Sequence, residues 1–300
     1  MSKILAVGSI AYDTIETWAG KEEYILGGSA SYFSMAASLM SEVSIVAVVG
    51  EDFDKSDINL FKSRNIDTSG LVIKEGKTFH WEGLYPKNGD AKTIKTDLNV
   101  FETFSPKLQN SQKEAKILFL GNINPKLQNS LIDQMKSTDL IVLDTMNFWI
   151  SKSKDILLET ISKIDVLLIN ETEIKMLSGE DHLIDAVKYV NSVGPKIIIV
   201  KFGARGVSLF YKDDHFVMPA CPVDKVIDPT GAGDTFAGGF IGYLATKDES
   251  FTFEDFKTAT VYGNLTASYT IEGFGLTRLK ELDKGNLDKR LNLFRNYVRF

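Results

Sequence analysis

The run Asp228-Pro229-Thr230-Gly231-Ala232-Gly233-Asp234 sets three small residues and a carboxylate just ahead of a helical pattern. Small side chains leave the backbone N–H groups of Gly231, Ala232 and Gly233 open, and a helix N-terminus carries about half a positive charge. The segment is a candidate anion hole. Asp234, in the first helical turn, can be a simple N-terminal cap, or it can stand beside a bound anion and accept a proton. Glycine costs a helix about 1 kcal/mol per residue relative to alanine, so its density here favours a functional reading. The carboxylate itself is expected to have an ordinary aspartate pKa, about 3.9.

Three further clusters have chemistry within reach. Asn170 and Glu173 follow a buried apolar run; by spacing alone they make an N-cap with its capping-box partner. Gly27 and Gly28 open a helical pattern, with Asp13 upstream. Their plain reading is a turn and a cap, but paired glycines also admit a close ligand, and a carboxylate can accept two hydroxyl hydrogen bonds. Asp13 is placed at the far end of the first strand. Lys201, Gly203 and Gly206 form a glycine-bounded loop after another apolar run. Two lookalikes fail. Five residues separate Gly70 from Gly76, where a phosphate-binding P-loop needs four, and the segment reads as a hairpin turn leading to Phe79. Gly231 and Gly233 are followed by Phe236 where a dinucleotide fingerprint needs glycine. Cys221 reads as a passive thiol, and His80, His182 and His215 are too dispersed to suggest metal ligation.

The elements that must hold these residues are legible as apolar runs over 3–8, 43–49, 117–120, 140–144, 166–169 and 197–201, as in parallel strands buried on both faces. Helical patterns fall between them at 29–39, 56–63, 125–136, 151–161, 172–177 and 184–193, then at 235–245, 253–271 and 287–298. Strand–helix–strand alternation predicts an α/β fold. From 71 to 104 the pattern is strand-like, with turn residues at 75–76 and 87–90; with 12–18 it suggests a small β lid, the plain alternative being a surface hairpin. The predicted division is an α/β core over 1–10, 27–70 and 105–300 and a lid over 11–26 and 71–104.

Composition narrows the partners. The 34 Lys+Arg against 40 Asp+Glu give a net charge of −6 without a basic stripe, which argues against nucleic acid. A single cysteine fits a reducing compartment, and no apolar run approaches the roughly 18 residues of a membrane span. A cytoplasmic protein is expected.

Taken in order, Gly27-Gly28 with Asp13, Asn170 with Glu173, and the run from Asp228 to Asp234 resemble the ribokinase-like carbohydrate kinases, the PfkB family, over essentially the whole chain. The resemblance implies a three-layer α/β/α core with a mainly parallel sheet and a β lid. It implies an ATP-dependent kinase acting on a small polyol, a sugar first, with a nucleoside, an inositol or a non-catalytic member as alternatives. By the same resemblance Asp234 is the catalytic base, Gly231, Ala232 and Gly233 form the anion hole, and Asp13, Gly27, Gly28 and Tyr32 meet the acceptor. Asn170, Lys201, Gly203, Gly206 and Asn264 fall on the nucleotide side. Glu173 organises Mg2+ through water, and a monovalent cation such as K+ can sit near Asp228 and Thr230. Ala11 and Tyr32 replace two asparagines of ribokinase proper, which argues against ribose; Tyr32 can stack on a ring or donate from its phenol. Asp144, Asn147 and Trp149 only loosely match a family motif whose arginine is absent, which argues against a phosphorylated acceptor. Pairing two lids would cover their exposed edges and predicts a homodimer.

Overall fold

The computed structural model describes residues 3–87, 91–247 and 250–299. The chain begins with β1 (Ile4–Val7), leaves the core through β2 (Ala11–Thr17) and β3 (Gly20–Gly27), and returns by helix α1 (Ser29–Ala37) to β4 (Val43–Gly50). Helix α2 (Lys55–Ser63) leads to β5 (Asp67–Lys74), after which β6 (Phe79–Leu84) and β7 (Lys92–Asp97) leave the core again. Then come β8 (Ile117–Leu120), α3 (Pro125–Ile132), β9 (Leu140–Asp144), α4 (Asn147–Lys152), α5 (Lys154–Ile161) and β10 (Val166–Asn170). Helices α6 (Glu171–Ser178) and α7 (Leu183–Val193) precede β11 (Ile197–Lys201), β12 (Val207–Tyr211) and β13 (Asp214–Met218). The chain ends in α8 (Ala232–Leu244), α9 (Phe253–Thr270), α10 (Thr277–Glu281) and α11 (Lys284–Val298).

Nine strands form one sheet in the order β13-β12-β11-β10-β9-β8-β1-β4-β5, parallel from β11 to β5 and antiparallel at the β12 and β13 edge. Alternate residues of its central strands feed two separate cores. Ile4, Ile45, Phe119, Leu168 and Ile199 pack with Phe33, Phe240 and Phe294 on the side of α1, α8, α9 and α11. Leu5, Val48, Leu118, Leu167 and Ile198 pack with Leu131, Leu157, Ile174 and Val190 on the side of α3, α5, α6 and α7. Each such side chain contributes roughly 1.5–3 kcal/mol, which is why these strands read as unbroken apolar runs rather than alternating ones. Helices α1 and α8 touch backbone to backbone, because a β-carbon on Gly238 would lie 2.3 Å from the Phe33 carbonyl oxygen.

The second sheet has the order β3-β2-β6-β7. Its residues fall largely in the two stretches expected to form a lid, with corrections. Leu71 to Lys74 belong to β5 and pair with β4 in the large sheet, so the second stretch leaves the core only after Lys74. The turn at Gly76 is therefore no hairpin: it carries the chain from one sheet to the other. Thr78 staples that seam, accepting from the Gly50 N–H at 3.0 Å and donating twice to Asp52 Oδ1 at 2.7 Å. Strand β3 was not anticipated, because Gly20 to Tyr24 are exposed and carry no apolar alternation. The helix expected over 151–161 is two helices broken at Ser153, whose φ of −144° is not helical. Asp13 sits on β2 rather than at the end of the first strand, which stops at Val7. The turn expected at 87–90 falls largely on 88–90, outside the described residues.

Candidate active site

Three neighbouring parallel strands end side by side, and each finishes on a polar residue: Asp144 on β9, Asn170 on β10 and Lys201 on β11. Carboxyl ends of parallel strands are where α/β folds place ligands. The start of α8 faces them. Gly231, at φ 71° and ψ 2°, takes a left-handed turn into that helix, and a β-carbon there would strike the Tyr32 ring at 2.4 Å. Asp228 shapes the approach by accepting from Thr230 N–H at 2.8 Å and Gly275 N–H at 3.2 Å. Of the three N–H groups expected in the anion hole, that of Ala232 closes a turn onto the Pro229 carbonyl at 3.3 Å. Those of Gly231 and Gly233 have no acceptor among the described residues. Two of the three are therefore open to a ligand.

Asp234 lies half-buried in the first turn of α8, and its carboxyl is not ordinary. Burial first, then the Asp144 charge, pushes its pKa up to about 7, with Lys201 pulling the other way. A base poised near neutrality serves better at pH 7 than the expected weak one. Lys201 donates to Asp144 at 3.2 and 3.4 Å. Burial disfavours its charge, but Asp144 foremost, with Glu173 and Asp234, more than offsets this and raises its pKa.

Asn170 and Glu173 form the complete capping box of α6: Glu173 N–H donates to Asn170 Oδ1 at 2.8 Å and Asn170 N–H to Glu173 Oε2 at 2.9 Å. The bland reading of this pair is therefore physically present. It does not use all of Glu173, whose carboxyl burial pushes up to about 7 despite nearby Lys201.

At the other end of the cleft, the lid contributes Asp13. Gly27 packs against its carboxylate and Gly28, at φ 89°, starts α1. Burial, then Asp228, pushes the Asp13 carboxyl up to about 8, while the Gly28 N–H favours the ionised form. Trp81 lies opposite Asp13 in the parallel β2/β6 pairing and so shares its face, and Tyr85 meets Trp81 edge-on with ring centroids 6.4 Å apart. Tyr32 is 1% exposed, with its ring inside the core, so stacking on a bound ring is closed to it. Its hydroxyl is buried without a hydrogen-bond partner, in the field of Asp13, Asp228 and Tyr85.

The expected nucleotide-side residues are less uniform. Gly203, at φ 59°, and Gly206, at φ 107°, bound a tight turn closed by Phe202 N–H donating to the Gly206 carbonyl at 2.8 Å. A side chain at Gly206 would meet the Met218 carbonyl oxygen at 2.1 Å. Asn264 is a clasp: it accepts from Cys221 N–H at 3.2 Å and donates to the Pro219 carbonyl at 3.1 Å. Its amide thus positions the 219–221 segment.

Residues 1–282 match the family described as pfkB family carbohydrate kinase. The chain belongs to that family. It is 29% identical over 250 residues to the cytidine kinase of Thermococcus kodakarensis, covering 81% of this chain and 89% of the relative. It is 24% identical over 302 residues to a nucleoside kinase of Methanocaldococcus jannaschii, covering 95% of each. A crystal structure of a putative Ribokinase II from E. coli, in complex with ATP and Mg2+, superposes with a TM-score of 0.82 at 19% identity, covering 98% of this chain and all of that one. The fold is ribokinase-like, and the pfkB kinase described here is a phosphotransferase acting on a hydroxyl group of a sugar or nucleoside.

No group of three or more metal-binding side chains stands together among the described residues of this kinase. Mg2+ keeps most of its waters and is held by one or two carboxylates plus substrate phosphates, a chemistry that a single buried carboxylate such as Glu173 fits. Among the described residues, no helix is long and apolar enough to cross a membrane. Asp144, which the sequence offered only as part of an imperfect motif, proves central. Its partner Lys201 is 57 residues away, and only the strand order reveals the pair.

Proposed function

We propose that this kinase transfers the γ-phosphate of ATP to a hydroxyl of a small neutral polyol, with Asp234 as general base. One observation carries the reading: the Asp234 carboxylate lies in the first turn of α8, next to the open N–H groups of Gly231 and Gly233. The acceptor oxygen attacks the γ-phosphorus as its proton passes to Asp234, and the bond from that phosphorus to the β–γ bridging oxygen breaks, releasing ADP. Base assistance of this kind contributes roughly 10²–10⁴-fold. Gly231 and Gly233 donate to the non-bridging oxygens of the phosphoryl group in flight, where fixed donors are worth about 10²–10³-fold each. Mg2+, when bound, neutralises charge on the donor phosphates. Glu173 would hold it through water, and Asn170 keeps that carboxylate in place through the capping box.

At the acceptor end Asp13 receives sugar hydroxyls, and the Tyr32 hydroxyl supplies one further polar contact. The surroundings are acidic, with Asp228 and Asp234 both close enough to Asp13 to raise its pKa. Such a pocket repels an acceptor that already bears a phosphate. A nucleoside is favoured over a free sugar, because Trp81 and Tyr85 offer aromatic surface beside Asp13, where a base attached to the sugar would lie. The relatives matching most of the chain include a cytidine kinase and nucleoside kinases as well as a ribokinase and an inositol 3-kinase, so the choice rests on the aromatic pair. ATP turnover across a panel of nucleosides, free sugars and inositols tests the assignment, with Asp234→Asn as control. Turnover on nucleosides, and its loss in the variant with ATP binding retained, is expected. A variant as fast as wild type would remove Asp234 from the mechanism.

A further inference from the structure

Lys201 has a position that pairing with Asp144 alone does not require. Its ammonium stands 3.1 Å from where a β-carbon on Gly233 would lie, so it reaches past Asp144 to the first turn of α8. Both partners are sequestered, with side-chain exposures of 18% and 8%. An ion pair of this kind gains little over an apolar pair of the same shape, since desolvation consumes most of the attraction. Stability therefore gives no reason for its presence. The charge count around it does. Asp144, Glu173 and Asp234 all act on Lys201, three carboxylates around one ammonium. A phosphoryl group brought to Gly231 and Gly233 would enter a negative field wherever no cation faced it.

We propose that Lys201 is a catalytic residue that donates hydrogen bonds from its ammonium to the terminal phosphoryl group of the nucleotide, and that Asp144 is the positioning residue that aims it. The inference rests on the kinase reading above and adds a protein-borne cation to the helix N–H groups. Lys201 keeps its proton throughout; it neutralises charge on the non-bridging oxygens while the bond to the bridging oxygen breaks. Asp144 holds the flexible lysine stem across the end of β10, so that little side-chain freedom is lost when the phosphate arrives.

The test needs no knowledge of the acceptor. Calorimetric titration with ADP and with a non-hydrolysable ATP analogue is run on wild type, Lys201→Met and the double variant Asp144→Asn/Lys201→Met. The double variant removes the carboxylate that the single one leaves unpaired, separating a folding defect from a lost contact. Expected are ADP affinities within about twofold of wild type in both variants and at least a tenfold loss for the ATP analogue. With an acceptor in hand, kcat falls about 100-fold in both, while the acceptor KM holds. Equal losses for ADP and the analogue, or a double variant whose kcat returns to within about threefold of wild type, would overturn the role. Wild type that binds neither nucleotide would overturn the kinase reading itself, and this inference with it.

Discussion

A β-carbon on Gly27 would fall 1.9 Å from Oδ2 of Asp13. The last residue of β3 is thus a glycine because the carboxylate on the neighbouring strand occupies the space a side chain would take. Gly27→Ala must push the carboxylate aside while leaving the start of α8 untouched. We expect the acceptor KM to rise at least tenfold, with ADP affinity unchanged, as measured by steady-state kinetics and nucleotide titration.

The rate should titrate with Asp234. Its carboxyl is pushed up to about 7 and must be ionised to take a proton, so kcat/KM falls as pH drops below about 7, approaching tenfold per unit. Because the Asp144 charge raises that pKa, Asp144→Asn moves the inflection to lower pH. A profile flat from pH 5 to 8 would show that proton transfer to Asp234 does not limit the reaction.

Stability of the unliganded protein should run the other way. Asp13 has a folded-state pKa of about 8 against its ordinary 3.8, so between those values the folded state holds a proton the unfolded chain has lost. Stability therefore falls as pH rises through that window. Asp13→Asn removes this contribution. The variant should gain on wild type by roughly 1–3 kcal/mol at pH 8.5, read as a rise of several degrees in Tm, and the gain should vanish near pH 4.

Asn264→Ala deprives the Cys221 N–H and the Pro219 carbonyl of their partner in a buried setting. We expect a loss of about 1–3 kcal/mol in urea unfolding. The 219–221 segment, once released, should also show faster amide exchange.

The parallel core was legible because both faces of the sheet are covered. Strands such as Ile117–Leu120 and Leu140–Asp144 must then be apolar throughout, and their bounds could be read to the residue. Lid strands lack that constraint. Gly20–Gly27 is mostly solvent-facing, so only the chain's return to Gly27 and Gly28 marked its end. Strand β5 was half missed, since Asp67 and Ser69 face outward and broke the apolar pattern before Leu71.

The same distinction runs through the site. Residues close in sequence, such as Asn170 with Glu173 or Gly231 with Asp234, announce themselves by spacing. Asp144 and Lys201 do not, because three strands of a particular order bring them together. Tyr32 was visible as a departure from its relatives, yet nothing in the sequence said that its ring is buried and its hydroxyl is left without a partner.

In the proposed reaction the large sheet and its helices bring the groups that move phosphate, while the four-stranded sheet brings Asp13 and Trp81 to the molecule receiving it. The two share seams at Gly27, Gly28 and Gly76 but no strand. Evolution or an engineer can therefore revise the guest list by rewriting one small sheet, leaving the engine beneath it alone.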